Sequence, residues 1–173
     1  MVHLETERIH ISPLQLTDAP FIFTLLNSPG WLRFIGDRGI RTMEDADNFI
    51  LNGPLKSYRE NGFGLCLVSE KSSGEKIGLC GLLKRINLDH PDLGYAFLPE
   101  YNGKGYALEA ANAMIRYAAE TLQLKRLYAF TDPENLKSMA VLGKSGFQFL
   151  RLMPWPNSAD LSLFELKLPA DAS

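Results

Sequence analysis

Tyr101–Ala107, with the sequence YNGKGYA, separates a strand-like segment from a strongly helical one. The preceding segment, residues 92–98, is short and rich in apolar side chains, and it ends before Pro99. The following residues 108–122 are rich in alanine and carry apolar side chains at helical spacing. A strand–glycine–helix junction lets several backbone N–H groups converge at the positive end of a helix dipole. The stretch therefore predicts either a cradle for a phosphate or diphosphate group or an ordinary helix that begins at a glycine.

Composition and charge are those of an ordinary globular chain. The 173 residues are 46% apolar and 22% charged. The net charge of −2 lacks the positive excess that is typical of proteins that bind nucleic acid or a membrane surface. Residues 1–5 do not resemble the start of a secretory signal, and the longest apolar run, residues 21–26, is too short to cross a bilayer. We expect one cytoplasmic domain over residues 1–173, either a monomer or a homodimer, with no nucleic-acid or membrane partner.

The two cysteines are predicted to face each other in a hairpin. Residues 72–74 have the composition of a three-residue hairpin loop with Gly74 in the left-handed conformation, and pairing of Lys71 with Glu75 then places Cys66 opposite Cys80. This pair could form a cross-strand disulfide or two packed thiols, and a reducing cytosol favours the thiols. No cysteine or histidine spacing indicates a metal, so no metal site is expected.

The hydrophobic pattern predicts an α/β (α+β) fold with a mixed sheet and the element order βααβββαβαββ. Only the crossover from strand 92–98 to strand 126–131 should be parallel. Residues 31–40 are expected to form a loop, and Thr42 to open a helix through a capping box with Asp45, interrupted near Pro54. The other predicted strands are 7–14, 63–69, 76–84, 147–153 and 161–168, and the other predicted helices are 17–27 and a short one from 132 to about 145.

Two ordered signatures resemble those of the GNAT superfamily of acyl-CoA-dependent N-acyltransferases. The first, Arg/Gln-x-x-Gly-x-Gly/Ala, falls on Asn102, Gly105 and Ala107, with Asn102 in place of the usual Arg or Gln. The second, Asn-x-x-Ser followed by Gly-Phe, falls on Asn135, Ser138, Gly146 and Phe147. Residues 4–9, 34–40 and 44–46 resemble the subgroup of ribosomal-protein N-terminal acetyltransferases (RimJ/RimL type). The similarity extends from Leu4 to Leu168.

The resemblance implies acetyl-CoA as the acyl donor, and it implies where the coenzyme lies. Backbone N–H groups of residues 103–107 would hold the diphosphate, with Lys104 either adding charge or remaining solvated. The pantetheine arm would lie between two splayed parallel strands and pair with the backbone near Phe97 and Leu98, where an N–H could polarise the thioester carbonyl. Asn135 would contact the arm, cap its helix, or do both. The expected coenzyme-binding residues are Phe97, Leu98, Asn102, Gly103, Lys104, Gly105, Tyr106, Ala107, Asn135 and Ser138.

The resemblance also implies direct transfer, in which a neutral amine attacks the thioester and the thiolate then leaves. Ser138 would protonate the thiolate, or serve only as a residue of the first helical turn. A protein α-amine costs about 1 kcal/mol to deprotonate at neutral pH and a lysine-type amine about 4–5, so only the latter needs a strong base. Asp92 and Asp37 are candidate bases, the alternative being that each is a solvated or loop-capping carboxylate.

An aromatic and basic lining is expected for the acceptor pocket. Its arginines could bind a carboxylate or an acidic peptide; alternatively the arginines are solvated and Trp31 and Phe34 pack at the edge of the core. The predicted lining residues are Trp31, Arg33, Phe34, Arg38 and Trp155. The sequence predicts an N-acetyltransferase acting on a protein N-terminus or a small-molecule amine. The alternative is a sensor that holds the coenzyme without turnover.

Overall fold

The structure is a computed structural model that describes residues 2–169. Within this range eight strands form one sheet in the spatial order β1-β2-β3-β4-β5-β6-β8-β7. The strands are β1 (Leu4–Glu5), β2 (Ile9–Pro13), β3 (Leu65–Glu70), β4 (Lys76–Leu83), β5 (Asp92–Phe97), β6 (Arg126–Thr131), β7 (Gln148–Met153) and β8 (Leu161–Lys167). The helices are α1 (Ala19–Leu26), α2 (Pro29–Phe34), α3 (Met43–Ile50), α4 (Lys56–Asn61), α5 (Tyr106–Glu120) and α6 (Leu136–Lys144).

The mixed sheet confirms the predicted architecture. Strands β5 and β6 run parallel and are connected through α5, whereas every other neighbouring pair in the described sheet is antiparallel. The predicted final antiparallel pair corresponds to β7 and β8. A β–α–β crossover must lay its helix across one face of the sheet, so α5 is fixed against that face.

The prediction of a loop over residues 31–40 is wrong for its first part, because α2 begins at Pro29 and continues to Phe34. Proline suits the first turn of a helix, since its φ is already helical and the missing N–H would have had no partner there. The two-residue strand β1 was also not predicted, being too short to show an alternating pattern. The capping box of Thr42 and Asp45 is confirmed, and the interruption near Pro54 is a π-helical segment, Leu51–Leu55, between α3 and α4.

The two faces of the sheet carry different helices, which separates two hydrophobic cores. Leu93 and Phe97 of β5 pack with α5 and α6 in one core. Ala96 and Leu98 pack with α1 and α3 in the other. Successive side chains of a strand point to opposite faces, so this alternation determines the face of the sheet on which each β5 side chain lies.

The predicted cysteine pairing is confirmed, with Cys66 directly opposite Cys80, and both are buried free thiols. Burial raises the pKa of Cys66 to about 12, which keeps the thiol protonated at neutral pH. Gly74 has the predicted left-handed conformation. A bulge after Val68 shifts the register, and Glu70 rather than Lys71 donates its N–H to the Glu75 carbonyl.

None of the helices within residues 2–169 has the length and apolar character needed to cross a membrane.

Gly81 of β4 has no room for a side chain, and this gives a test of the sheet. An added Cβ would overlap the Gly64 carbonyl oxygen and lie 2.6 Å from Leu65 Cα, both of which are backbone atoms that cannot rotate away. We expect Gly81→Ala to lower the free energy of unfolding by about 2–4 kcal/mol. Gly30→Ala in α2 is the matched control, because nothing lies within 4 Å of its added Cβ. Urea denaturation of both variants checks this, and equal stabilities would contradict the packing of β3 against β4.

Candidate active site

A gap opens in the sheet where β5 and β6 separate. In the described structure their ladder comprises two residue pairs, Asp92 with Tyr128 and Leu93 with Ala129. Tyr128 donates its N–H to the Pro91 carbonyl at 2.9 Å, so the odd-numbered residues of β5 direct their backbone groups towards β6. Beyond Leu93 the strands no longer pair, and the N–H groups of Tyr95 and Phe97 therefore face the gap. Such an unpaired strand edge can accept an extended ligand as an additional strand.

Leu98 does not offer its backbone to this gap, which corrects part of the predicted pairing near Phe97 and Leu98. Its N–H donates to the Ile77 carbonyl at 2.9 Å, and its own carbonyl accepts from the Tyr101 N–H at 3.0 Å. Both groups are thus used inside the protein. The backbone available to a ligand belongs to Tyr95 and Phe97 instead.

The glycine stretch lies directly after β5, at the open end of the gap. Gly103 and Gly105 have φ values of +75° and +85°, and Gly105 is the N-cap of α5. Left-handed backbone at these positions turns the chain so that the N–H groups of the first helical turn, which have no helical partners, point outward together. Asn102 and Lys104 are exposed around them. The predicted anion cradle is therefore present in geometry, although its role as a binding site remains a prediction.

Tyr106 and Ala107 belong to the first turn of α5 and contribute backbone N–H groups to the same point. The Tyr106 side chain turns inward, where its hydroxyl donates to the Glu70 carboxylate and its ring packs edge-on against Tyr101. The buried Tyr106 ring thereby holds the first turn of α5 against the core. Lys104 Nζ lies 5.8 Å from the centroid of the Tyr101 ring, at the rim of the loop.

Arg8 clamps the glycine loop from the N-terminal hairpin. Its Nη1 donates to the Lys104 carbonyl at 2.9 Å, and its Nε donates to Glu109 Oε1 at 2.7 Å. Glu109 Oε2 accepts from the Arg8 backbone N–H at 2.9 Å and from the Thr6 hydroxyl. The guanidinium also stacks over Tyr106, 4.2 Å from the ring centroid. Sequence reasoning missed Arg8 and Thr6, since their partners lie about a hundred residues away and no local pattern links them.

Asn135 and Ser138 meet β5 at the entrance of the gap. The Asn135 side chain accepts the Ser138 N–H at 3.2 Å, which confirms its capping role and leaves contact with a ligand a prediction. Ser138 Oγ lies 2.9 Å from the Tyr95 hydroxyl, which also donates to the Ser138 carbonyl at 3.1 Å. Burial raises the pKa of Tyr95 to about 12, so the phenol stays protonated at neutral pH. Tyr95 was not predicted, although its place in the strand before the glycine stretch was.

On the opposite face of the sheet, a buried ion pair marks the start of β5. Asp92 is 2% exposed and accepts from Arg85 Nε at 3.0 Å. Burial raises the pKa of Asp92 to about 6, and the positive charge of Arg85 opposes that rise. A carboxylate this enclosed holds Arg85 in place, and its predicted role as a base would require the acceptor amine to reach it. Asp37, the other candidate, is exposed and pairs with Arg41 at 2.5 Å.

Of the predicted acceptor lining, Trp155 lies beside Arg85. Arg85 Cζ lies 5.2 Å from the Trp155 ring and 5.8 Å from the Phe130 ring. Partial burial lowers the pKa of Arg38, and repulsion from Arg85 lowers it further. Trp31 is 7% exposed and packs in the α1–α3 core, so the alternative of packing in the core holds for this residue.

Arg33 and Phe34 form a local pair instead. The Arg33 guanidinium stacks over the Phe34 ring at 4.6 Å, and Arg33 is exposed. Neither residue makes a hydrogen bond or ion pair through its side chain within the described part of the chain. Their predicted contact with an acceptor remains a prediction.

The chain is similar in sequence to known acetyltransferases. The model of the acetyltransferase (GNAT) domain family matches residues 8–148. The chain is 29% identical over 147 residues to the uncharacterized N-acetyltransferase YnaD of Bacillus subtilis (strain 168), covering 85% of this chain and 83% of that protein. It is 27% identical over 141 residues to the spermidine N(1)-acetyltransferase of Escherichia coli (strain K12), covering 80% and 72%.

A solved structure resembles this fold across nearly its whole length. The RimL ribosomal L7/L12 α-N-protein acetyltransferase, in complex with coenzyme A, superposes with a TM-score of 0.84 at 16% identity, covering 98% of this chain and 100% of that one. At that identity the likeness is one of fold.

Gly105 provides a test of the cradle. Alanine there would be strained by the φ of +85° and would place a Cβ 3.2 Å from Arg8 Nη2, which would displace the clamp and block approach to the N–H groups. We expect Gly105→Ala to weaken binding of coenzyme A at least about tenfold, measured by isothermal titration calorimetry.

Gly62→Ala is the control for that change. Gly62 has a similar φ of +78°, nothing lies within 4 Å of its added Cβ, and it ends α4 away from the loop. Gly62→Ala should lower the free energy of unfolding by a comparable amount and leave the affinity for coenzyme A unchanged. Equal loss of affinity in both variants would mean that strain alone, and no cradle, explains the effect.

Proposed function

Since the chain belongs to the GNAT acetyltransferase family, we propose that it transfers the acetyl group of acetyl-CoA directly to a primary amine in the gap between β5 and β6. The observation that carries this proposal is the pair of unpaired N–H groups, of Tyr95 and Phe97, that lead from the glycine loop into the gap. When bound, the coenzyme supplies an electrophilic thioester carbonyl and a thiol leaving group. We further propose that residues 1–173 act as one cytoplasmic domain.

The residues at the gap fit this coenzyme. The exposed N–H groups around Gly105 suit a diphosphate, because they combine the helix dipole with donors for which residues 2–169 provide no acceptor. The N–H groups of Tyr95 and Phe97 suit the amides of an extended pantetheine arm. An N–H that points into the gap next to the reacting carbonyl stabilises the negative charge that develops on its oxygen. These roles need backbone geometry, so Asn102 in place of Arg or Gln leaves them intact.

We propose that Ser138 returns a proton to the departing sulfur. Its hydroxyl lies in the first turn of α6, and the Tyr95 hydroxyl lies 2.9 Å from it. When Ser138 Oγ donates to a thiolate, the Tyr95 hydroxyl can turn its one proton from the Ser138 carbonyl to Ser138 Oγ, which makes the serine a better donor. Tyr95 acts through Ser138 and is therefore a positioning residue.

The amine reaches the gap from the face opposite α5 and α6. The α1–α3 side carries Arg85, Trp155 and Phe130, while Ser138 and Tyr95 occupy the other side. A protein α-amine is sufficiently deprotonated at neutral pH to attack without a strong base. Asp92 is the proposed base only for acceptors that can reach it. The relatives include enzymes named for spermidine and for a ribosomal protein, so both a small amine and a protein N-terminus are candidate acceptors.

Acetyl-CoA binding and turnover test this function together. Isothermal titration calorimetry should give saturable binding of acetyl-CoA, and thiol release should rise when short peptides with a free N-terminus are added. Absence of binding at high micromolar acetyl-CoA would overturn the proposal. Binding without thiol release above background, across peptides and small amines, would favour the coenzyme sensor instead.

Ser138 and Tyr95 make distinct kinetic predictions. We expect Ser138→Ala to lower kcat about 10²-fold or more while the KM for acetyl-CoA changes little, because the hydroxyl acts only when the thiolate leaves. Tyr95→Phe should lower kcat by a smaller factor through the same step. Steady-state kinetics with a peptide acceptor measures both.

Ser145→Ala is the matched control, since this serine directly follows α6 and its hydroxyl has no hydrogen-bond partner among the described residues. It should retain the kcat of the unmodified protein. A Ser138→Ala variant with full kcat would remove Ser138 from the proton transfer.

A further inference from the structure

The Arg85 guanidinium forms a cationic fork, meaning that its Nε is fixed and its two Nη atoms are free of partners among the described residues, at the face from which the acceptor enters. Its Nε edge is held by Asp92 at 3.0 Å, and Asp92 is buried. Within residues 2–169 its two Nη atoms make no hydrogen bond or ion pair, and the Arg85 side chain is 31% exposed. A guanidinium fixed through Nε offers its remaining N–H groups in the geometry that matches a carboxylate.

Aromatic rings close one side of this fork. Phe130 and Trp155 pack with centroids 4.9 Å apart, and the Arg85 guanidinium lies within 6 Å of both rings. Rings exclude water from one side of the guanidinium, which strengthens an ion pair made on the other side. The Trp155 ring also lies beside β6 at the level where the gap opens, because Phe130 follows the last paired residue of that strand.

A second cation lies close by without a counter-charge. Arg38 makes no ion pair or side-chain hydrogen bond within the described structure, and partial burial together with repulsion from Arg85 lowers its pKa. Asp92 balances one of the two positive charges, so the pair retains an excess of one. This excess of positive charge favours an anionic ligand at this face.

We propose that the acceptor is an amine that carries a carboxylate, bound by Arg85 and Arg38 against the Phe130–Trp155 wall. This inference deepens the proposed function and depends on it for the identity of the reacting group. Asp92 begins β5 three residues before Tyr95, about 10 Å along the strand, so the carboxylate lies one or two residues from the reacting α-amine. An acidic peptide N-terminus fits, and a polyamine does not, because its positive charges would face two arginines.

Three peptides that differ only in charge test this specificity. The probes are the amides of Ala-Glu-Glu-Ala, Ala-Gln-Gln-Ala and Ala-Lys-Lys-Ala, with spermidine as a fourth acceptor. We expect kcat/KM to be about 10- to 100-fold higher for the glutamate peptide than for the glutamine peptide, the range of a charge-assisted hydrogen bond, and lowest for the lysine peptide and spermidine. Equal values for the glutamate and glutamine peptides, or a preference for spermidine, would overturn the proposal.

Variants of the two arginines test whether their side chains bind the carboxylate of the acceptor. Arg85→Gln alone would leave a buried carboxylate unpaired, so it is combined with Asp92→Asn to keep the shape of the pair without charge. This double variant and Arg38→Gln should each reduce the glutamate-to-glutamine ratio several-fold. Arg116→Gln, at an exposed arginine of α5, should leave the ratio unchanged. If both variants keep the glutamate-to-glutamine ratio of kcat/KM, other residues bind the carboxylate, and the assignment of Arg85 and Arg38 is overturned.

Equilibrium binding separates this inference from the proposed function. The N-acetylated glutamate and glutamine peptides are titrated into the protein with and without coenzyme A. If acetyl-CoA neither binds nor turns over but the acidic peptide still binds more tightly through Arg85 and Arg38, the anion site stands and the transferase proposal fails. If acetyl-CoA turns over but neither acidic peptide is preferred, the transferase proposal stands and the anion site fails.

Discussion

The short parallel ladder between β5 and β6 is the constraint on which the rest of the site depends. Two residue pairs hold the strands together at Asp92 and Leu93, and after them the strands separate. Buried backbone groups normally find partners, so the unpaired N–H groups of Tyr95 and Phe97 stand ready for a ligand with backbone-like amides. The glycine loop follows the same strand and faces the same opening. In the proposed function, the coenzyme therefore takes the place of a missing strand, with an anion cradle at its end.

In the proposed function, the two substrates approach this gap from opposite faces. Ser138 and Tyr95 lie with α5 and α6, whereas Arg85 and Trp155 lie on the side of α1 and α3. A hydroxyl pair on one face and a cationic fork on the other suit the separate tasks of protonating a leaving group and holding an acceptor. The acceptor specificity can then change through loops without disturbing the strand and helix that we propose bind the coenzyme.

The fold and the glycine loop could be predicted from the sequence because their signals are local. The alternation of β5, the glycines of residues 103–105 and the helical spacing of α5 lie within one continuous stretch. Arg8, Tyr95 and Arg85 could not be assigned this way, because each works through a partner that the fold brings from another element. The loop predicted at Trp31 failed for a related reason: burial against α1 stabilises a short helix that its own sequence only weakly favours.

Hydrogen exchange of three neighbouring amides tests the central claim most directly. The Leu98 amide donates to Ile77 within the sheet, so it should be protected in the free protein. The Tyr95 and Phe97 amides should exchange rapidly without ligand and slow at least about tenfold when acetyl-CoA is added, as measured by NMR. Protection of Tyr95 and Phe97 in the free protein, or no change on adding saturating acetyl-CoA, would contradict the account.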